Sequence, residues 1–212
     1  MSRIEFFHAP HTRSSGVLAL MEELGADYDL KLMSIKAGDQ SREDFLAINP
    51  MGKVPTIRQG DAVVTEQVAV YLFLADHFAD TGLAPAIGDP DRGPYLRWMA
   101  FYGCSIEPAV IDKALKREPA ARATSPYADY DTVMAVVNQQ LAKGPWLLGE
   151  RFSAVDVLWG AALSWLTGFG LVEKTPAVAA YVERYQARPA VQLAAAKDAE
   201  WNAAQEAAAG NG

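Results

Sequence analysis

The spacing of apolar and polar positions changes several times along the chain, and each change marks an element. Ile4-Glu5-Phe6-Phe7 is a short apolar run ending in His8-Ala9-Pro10, which predicts a strand that enters a loop. From Val17 the apolar residues fall at 17, 20, 21 and 24, the spacing of one helix face, and Gly25 supplies a stop. Tyr28, Leu30 and Leu32 then alternate with Asp29 and Lys31, as a half-buried strand does. Strand, helix and strand at this separation permit a parallel pair with a right-handed crossover. Residues 42 to 48 predict a short helix ahead of Asn49-Pro50. Val54–Ile57 and Ala62–Val64 predict two brief strands joined at Gly60-Asp61, a hairpin turn signal. Val68, Tyr71, Leu72 and Ala75 then share a helix face.

Between residues 80 and 94 stand Gly82, Pro85, Gly88, Pro90, Gly93 and Pro94, a density of breakers that marks a linker. Beyond it the pattern is helical throughout, over about 94–117, 126–143, 154–167, 176–187 and 189–207. In the third of these, Val155, Leu158, Trp159, Ala162, Leu163 and Leu166 form a broad apolar stripe. Pro108, following Glu107, should kink or break the first. The expected architecture is an α/β domain of βαβ–ββα order over 1–80, a linker over 81–93 and an all-helical domain over 94–212.

Composition narrows the function. A length of 212 residues with half of them hydrophobic supports a substantial core. The net charge of −7 leaves no basic stripe for nucleic-acid phosphates. The single cysteine, Cys104, allows neither an internal disulfide nor a cysteine-based zinc site, which fits a reducing compartment. His8 and His11 lack a third ligand nearby, so no metal is expected. The first residues carry Arg3 and Glu5 where a signal peptide has its apolar core, and no stretch approaches a membrane span. The expected compartment is the cytoplasm, with no membrane and no nucleic-acid partner.

Three motifs then carry a resemblance. Asn49-Pro50-Met51-Gly52-Lys53-Val54-Pro55-Thr56 resembles the segment of cytosolic glutathione transferases in which a cis-proline precedes the third strand. Val64-Thr65-Glu66-Gln67-Val68 resembles the acidic motif that follows the fourth strand in that family. Glu150-Arg151-Phe152-Ser153-Ala154-Val155-Asp156 resembles its C-terminal capping motif, and Ser153 and Asp156 read on their own as a capping box. The order and spacing of the three are closest to bacterial members of beta or theta-like type.

The resemblance implies a set of binding residues. Val54, turned outward by Pro55, pairs its backbone with the cysteinyl part of glutathione like an added strand. Glu66 takes the γ-glutamyl ammonium and Gln67 its carboxylate, at a helix N-terminus that suits an anion. The family more often has serine at the second of these positions, so Gln67 is a departure. Lys53 pairs with the glycyl carboxylate, with Lys36 and Gln40 as further candidates. Read without the motifs, Glu66 complements a helix dipole and Lys53 is a solvated lysine.

The chemistry asks for a lowered thiol pKa. At a pKa near 8.5 only about 3% of a thiol is ionised at pH 7, and a shift of two units takes about 2.7 kcal/mol of differential stabilisation. The family places the responsible donor in the first strand–helix loop, here His8-Ala9-Pro10-His11-Thr12-Arg13-Ser14-Ser15-Gly16. That loop holds neither tyrosine nor cysteine, and Arg13 aligns with the cysteine of the beta class. The candidate sulfur donors are Ser14, Thr12 and then Ser15, each of which also reads as a helix cap. Arg13 adds positive potential. The second substrate is expected to be electrophilic and largely apolar, near His8, Tyr102, Ile106 and Glu107. The implied function is conjugation of glutathione, a co-substrate with no separate cofactor, by a homodimer that serves detoxification. A lyase, isomerase, dehalogenase or reductase on the same fold, or a non-catalytic glutathione carrier, stands beside it.

Overall fold

The computed structural model describes residues 3–118 and 120–210. It divides into two compact units, Met1–Phe78 with Arg188–Gly212, and Ala79–Ala187.

The first unit is built on a four-stranded sheet. Its strands are β1 (Ile4–His8), β2 (Tyr28–Leu32), β3 (Thr56–Gln59) and β4 (Ala62–Val64), in the spatial order β2-β1-β3-β4. β1 pairs parallel with β2, Phe6 opposite Leu30, and antiparallel with β3, Phe6 opposite Ile57. Helix α1 (Ser14–Leu24) makes the crossover and ends at Gly25 in a left-handed conformation, the stop that its missing Cβ permits. A short α2 (Glu43–Leu46) follows β2, and α3 (Gln67–His77) follows β4. This is the thioredoxin-like βαβ–ββα order. β1 is central and covered on both faces, so Ile4, Phe6, Phe7 and His8 are all buried, with Ile57 beside them on β3. β2 lies at the edge, and Leu32 is 39% exposed, so its alternation reports a strand less buried than the pattern predicts. On α3 the buried residues are Val70, Tyr71, Leu74 and Ala75, so Tyr71 and Ala75 hold the expected face while Val68 and Leu72 lie at its margin.

The second unit is helical among its described residues. Helix α4 (Arg92–Phe101) passes through a wide turn over Tyr102–Ile106 into α5 (Glu107–Ala114). There the N–H of Glu107 reaches back to the carbonyl of Tyr102, five residues earlier. Pro108 explains the widening: it has no N–H to donate, and its ring crowds the preceding turn, so the helix opens by one residue instead of ending. Helices α6 (Tyr130–Leu141), α7 (Ala154–Gly168) and α8 (Pro176–Gln186) complete the unit. Trp159 of α7 sits fully buried against Trp98 and Tyr102, and its ring N–H donates to the Trp98 carbonyl at 3.0 Å. The stretch expected as a free linker is part of this unit. Leu83 and Ala84 are buried, and the Leu83 carbonyl accepts from the N–H of Ala154 at 2.8 Å.

The last helix, α9 (Pro189–Gly210), departs from the expected division. It packs along α1 in the first unit, and does not extend the helical one. Val191, Ala194 and Asp198 are its buried positions, spaced three and four residues apart, and Arg188 just before it pairs with Glu23 of α1 at 2.8 Å. No helix among the described residues is long and apolar enough to cross a membrane.

Candidate functional site

The residues singled out around Pro55 lie in a loop held by its own polar side chains. Asn49 is buried, and its amide donates to the Lys53 carbonyl at 2.9 Å and to the Thr56 hydroxyl at 3.0 Å. Thr56 donates in turn to the same Lys53 carbonyl at 2.9 Å. Gly52 has φ +59°, and a Cβ there would stand 2.7 Å from the Gln40 carbonyl oxygen, so only glycine fits. The Val54–Pro55 peptide is cis. Val54 is half-buried against the cluster of Phe7, Ala9, Met33 and Phe45, while the Lys53 side chain is exposed. Asn49 and Thr56 are the residues that the motif brought along without being singled out.

Glu66 stands immediately before α3 with φ 62° and ψ 116°. A non-glycine residue in such a conformation stores about 1–3 kcal/mol, a cost that persists where a ligand clamp needs it. Its carboxylate is exposed, and its carbonyl accepts the first intrahelical bond, from Val70 at 3.0 Å. Gln67 opens the helix, and its amide nitrogen donates to the Arg13 carbonyl at 3.4 Å. That bond brings the acidic motif against the first strand–helix loop. The first-turn N–H groups of α3 and the partial positive charge of its N-terminus are therefore offered beside Glu66.

The strand–helix loop is organised otherwise than its sequence suggests. Ser14, the first candidate for the sulfur, has no exposed surface. Its hydroxyl oxygen lies 2.8 Å from His8 Nδ1, 2.8 Å from Thr12 Oγ1 and 3.0 Å from the Ala9 carbonyl, and accepts from the N–H of Ala9 at 3.1 Å. Four polar neighbours enclose it, so it ties the loop together. His8, expected at the pocket wall, is also fully buried, a consequence of its place on the central strand. Thr12 is partly exposed, donates to the Ala9 carbonyl at 2.7 Å and accepts from the N–H of Ser14 at 3.2 Å. Arg13 is exposed.

The residue that the sequence reading passed over is Asp198 of α9. Only 5% exposed, it accepts from the N–H of His11 at 2.9 Å and from the Ser15 hydroxyl at 3.1 and 3.2 Å. His8 Nε2 lies 2.9 Å from its other oxygen, at ion-pair distance though off the line of a well-directed hydrogen bond. Burial pushes the Asp198 carboxyl upward, but His8, the His11 N–H and Ser15 together bring it below the ordinary carboxylate value. A signal existed: Val191, Ala194 and Asp198 share one helical face, so an acid falls in an apolar stripe.

Next to the loop the first unit holds a cavity of about 410 Å³. Ala9, Pro10 and the segment Met33–Ala37 form one side, and Asn202, Gln205, Glu206 and Ala209 of α9 the other. Gln205 is anchored by donating to the Met33 carbonyl at 3.1 Å, and Asn202 donates to Glu206 at 3.0 Å. Lys36 lines this cavity. Tyr102, Ile106 and Glu107 lie in the helical unit: Tyr102 and Ile106 are buried, and the Tyr102 hydroxyl donates to Glu107 at 3.1 Å.

Comparison with known proteins agrees with this fold. Residues 2–76 match the N-terminal domain of glutathione S-transferases, and residues 126–184 match their C-terminal domain. The glutathione S-transferase hmp2 of Hypomyces subiculosus is 30% identical over 191 residues, covering 81% of this chain and 88% of that one. The chain belongs to the glutathione S-transferase family. Among other relatives of this transferase-family chain, the disulfide-bond oxidoreductase YfcG of Escherichia coli is 28% identical over 92% of this chain and 95% of its own. The crystal structure of a glutathione transferase from Methylococcus capsulatus superposes with a TM-score of 0.77 at 29% identity, covering 92% of this chain and 98% of that one. A sphingomonad glutathione S-transferase, solved with glutathione, gives a TM-score of 0.75 at 28% identity over the same shares, 92% and 98%.

Proposed function

We propose that this chain binds reduced glutathione in its first unit and transfers it to an electrophilic carbon. The strained Glu66 at the α3 N-terminus, joined to the first loop through Gln67 and Arg13, carries the reading. Glu66 takes the γ-glutamyl ammonium, while Gln67 and the first N–H groups of α3 take its carboxylate. The backbone of Val54 before Pro55 meets the cysteinyl residue, and Lys53 or Lys36 the glycyl carboxylate. These contacts set the thiol beside the strand–helix loop. There Thr12, partly exposed where Ser14 is enclosed, is the side-chain donor this reading assigns to the sulfur, its one hydroxyl proton turning from the Ala9 carbonyl to the thiolate when glutathione binds. Arg13, exposed on the same loop, favours the thiolate by its charge.

The reaction needs the thiolate as nucleophile: its sulfur forms a bond to the electrophilic carbon, and the leaving group departs with the electron pair. The cavity beside Ala9 and Pro10 receives the electrophile. Its Met33 and Ile35 suit an apolar body, and Asn202 and Gln205 suit a polar end, which modifies the expectation of a largely apolar substrate. A second reading draws on the same polar wall and on the oxidoreductase relative: glutathione thiolate attacks the glutathione sulfur of a mixed disulfide held there, the old S–S bond breaks, oxidised glutathione forms and the other sulfur leaves as a thiolate, without a protein cysteine. We also assign the protein to the cytoplasm and to a homodimer, which size-exclusion chromatography with light scattering tests.

The deciding experiment mixes the purified protein with glutathione and 1-chloro-2,4-dinitrobenzene, then with a small organic disulfide. Conjugation that falls at least about tenfold in Thr12→Ala, as loss of a hydrogen bond to a charged group predicts, supports the transferase reading and the role of Thr12. Disulfide reduction without conjugation favours the second reading. Retention on a glutathione resin with neither activity leaves a carrier, and no binding defeats all three.

A further inference from the structure

We propose that Asp198 is a positioning residue: from the last helix it sets the loop that meets the glutathione sulfur, an inference that rests on the reading above. Three observations carry it. First, the loop turns at His11, whose φ of +55° is a left-handed conformation for a residue with a side chain. Such a conformation costs roughly 1–3 kcal/mol and persists only where its surroundings enforce it. Second, the enforcing group is Asp198, which accepts the N–H of His11 itself at 2.9 Å. Third, the same carboxylate holds the loop on either side of that turn, with Ser15 on α1 and His8 at the end of β1. Thr12 and Arg13, the residues assigned to the sulfur, fall between these fixed points at 11 and 15.

Asp198 touches no reacting atom on this account. It acts because a donor about 1 Å out of place costs up to roughly a hundredfold in rate. The γ-glutamyl and cysteinyl backbone contacts sit on Glu66, Gln67 and Val54, none of which Asp198 touches. Loosening the loop should therefore separate turnover from binding.

The test compares wild type with Asp198→Ala, Asp198→Asn and Arg188→Gln. The last removes a different fastening of α9, the 2.8 Å pair with Glu23, and controls for a merely loosened helix. Turnover is read with glutathione and the aryl halide, ionisation of bound glutathione by thiolate absorbance against pH, and binding by calorimetry with S-methylglutathione. Asp198→Ala should lower kcat about tenfold or more and raise the bound thiol's pKa by about one unit, with the analogue's Kd changed less than about twofold. Asp198→Asn keeps an acceptor oxygen and should fall between, and it is the decisive variant if the alanine protein does not fold. Arg188→Gln should lower Tm and leave the thiol pKa in place. Proportional losses of kcat and affinity, or an Asp198→Asn thiol that titrates as in wild type, overturn the proposal while glutathione binding by wild type still stands. A wild type that binds no glutathione overturns both readings together.

Discussion

Asp156 in the helical unit and Asp198 in the first unit are both buried carboxylates, and the two are treated oppositely. Asp156, at the start of α7, has no exposed surface, and burial raises its pKa to about 6. It accepts four bonds that do not undo the shift: from the N–H of Leu147 at 2.8 Å, the Tyr181 hydroxyl at 2.9 Å, and the N–H and hydroxyl of Ser153 at 2.9 and 3.1 Å. Asp198 is also covered from solvent but lies less deep, and its carboxyl sits below the ordinary value. The difference lies partly in that depth and partly in the partners. Asp156 meets only neutral donors, whereas Asp198 has the imidazole of His8 at 2.9 Å and that of His11 at 3.7 Å in addition. Neutral donors satisfy a buried carboxylate without fully replacing water, and an adjacent group able to carry positive charge does more. The first arrangement organises a helix start; the second holds a loop.

Removing Asp156 should give the largest effect. Asp156→Ala leaves the Leu147 and Ser153 N–H groups buried without their acceptor, each costing about 1–3 kcal/mol, and leaves the Tyr181 hydroxyl with only the residue-156 carbonyl at 3.4 Å. We expect a loss of about 3–5 kcal/mol in urea unfolding followed by tryptophan fluorescence. A loss below 1 kcal/mol contradicts the bonding described.

Slightly smaller is the effect of Gly160→Ala on α7, chosen because it tests packing in the same unit without touching charge. A Cβ at Gly160 would stand 2.2 Å from Cγ and 2.8 Å from Cβ of Tyr185, near the base of a buried ring that cannot swing aside. Overpacking of this kind costs about 1–3 kcal/mol, read as a lower urea midpoint with unchanged slope. Glutathione binding, placed in the other unit, should persist.

The two carboxylates also predict opposite pH behaviour. Asp156 has a folded pKa above its unfolded value, so its contribution is fully present below about pH 4 and lost as pH rises through about 6. Taking wild type from pH 7 to pH 5 should therefore stabilise the helical unit by about 1 kcal/mol from this group. Asp156→Asn should flatten that part of the profile. Asp198, with a lowered pKa, contributes above the unfolded value near 4 and loses its contribution only as pH falls further. Release of α9 from the first unit, followed by the fluorescence of Trp201, should thus be confined to pH below about 4. Release already at pH 5 contradicts the assignment.

How much of this was legible depended on sequence distance. The strand and helix order of the first unit, the helices of the second, and the Ser153–Asp156 box all rest on neighbours within a few residues, which local patterns report. The loop at Asn49–Thr56 was legible for the same reason, since its bonds close within seven residues. The burial of Ser14 and His8 was not legible because exposure is not local: whether a hydroxyl beyond a strand faces water depends on what covers that strand. Asp198 was missed because its partners lie more than 180 residues away, and α9 is alanine-rich, a composition that predicts a helix without a side to bury. The acid in the Val191–Ala194 stripe was the one local trace of it.

The smallest expected effect is the one that separates stability from function in the first unit. Glu66 keeps φ near +62° at the start of α3 although its carboxylate is exposed and contributes little to the fold. Glu66→Gly relieves that conformation and removes the carboxylate at once. Relief alone is worth about 1–2 kcal/mol, against which glycine brings back up to about 1 kcal/mol of chain entropy. We therefore expect a protein that is unchanged or up to about 1 kcal/mol more stable in urea. Its affinity for glutathione should fall about tenfold, the worth of one charge-assisted contact. Stability gained with binding lost identifies strain retained for a ligand. Stability lost with binding intact makes Glu66 a structural residue and moves the ammonium contact elsewhere. Glu66→Gln distinguishes the two contributions, since it retains the strained backbone and removes only the charge: its urea midpoint should match wild type while its glutathione affinity matches Glu66→Gly.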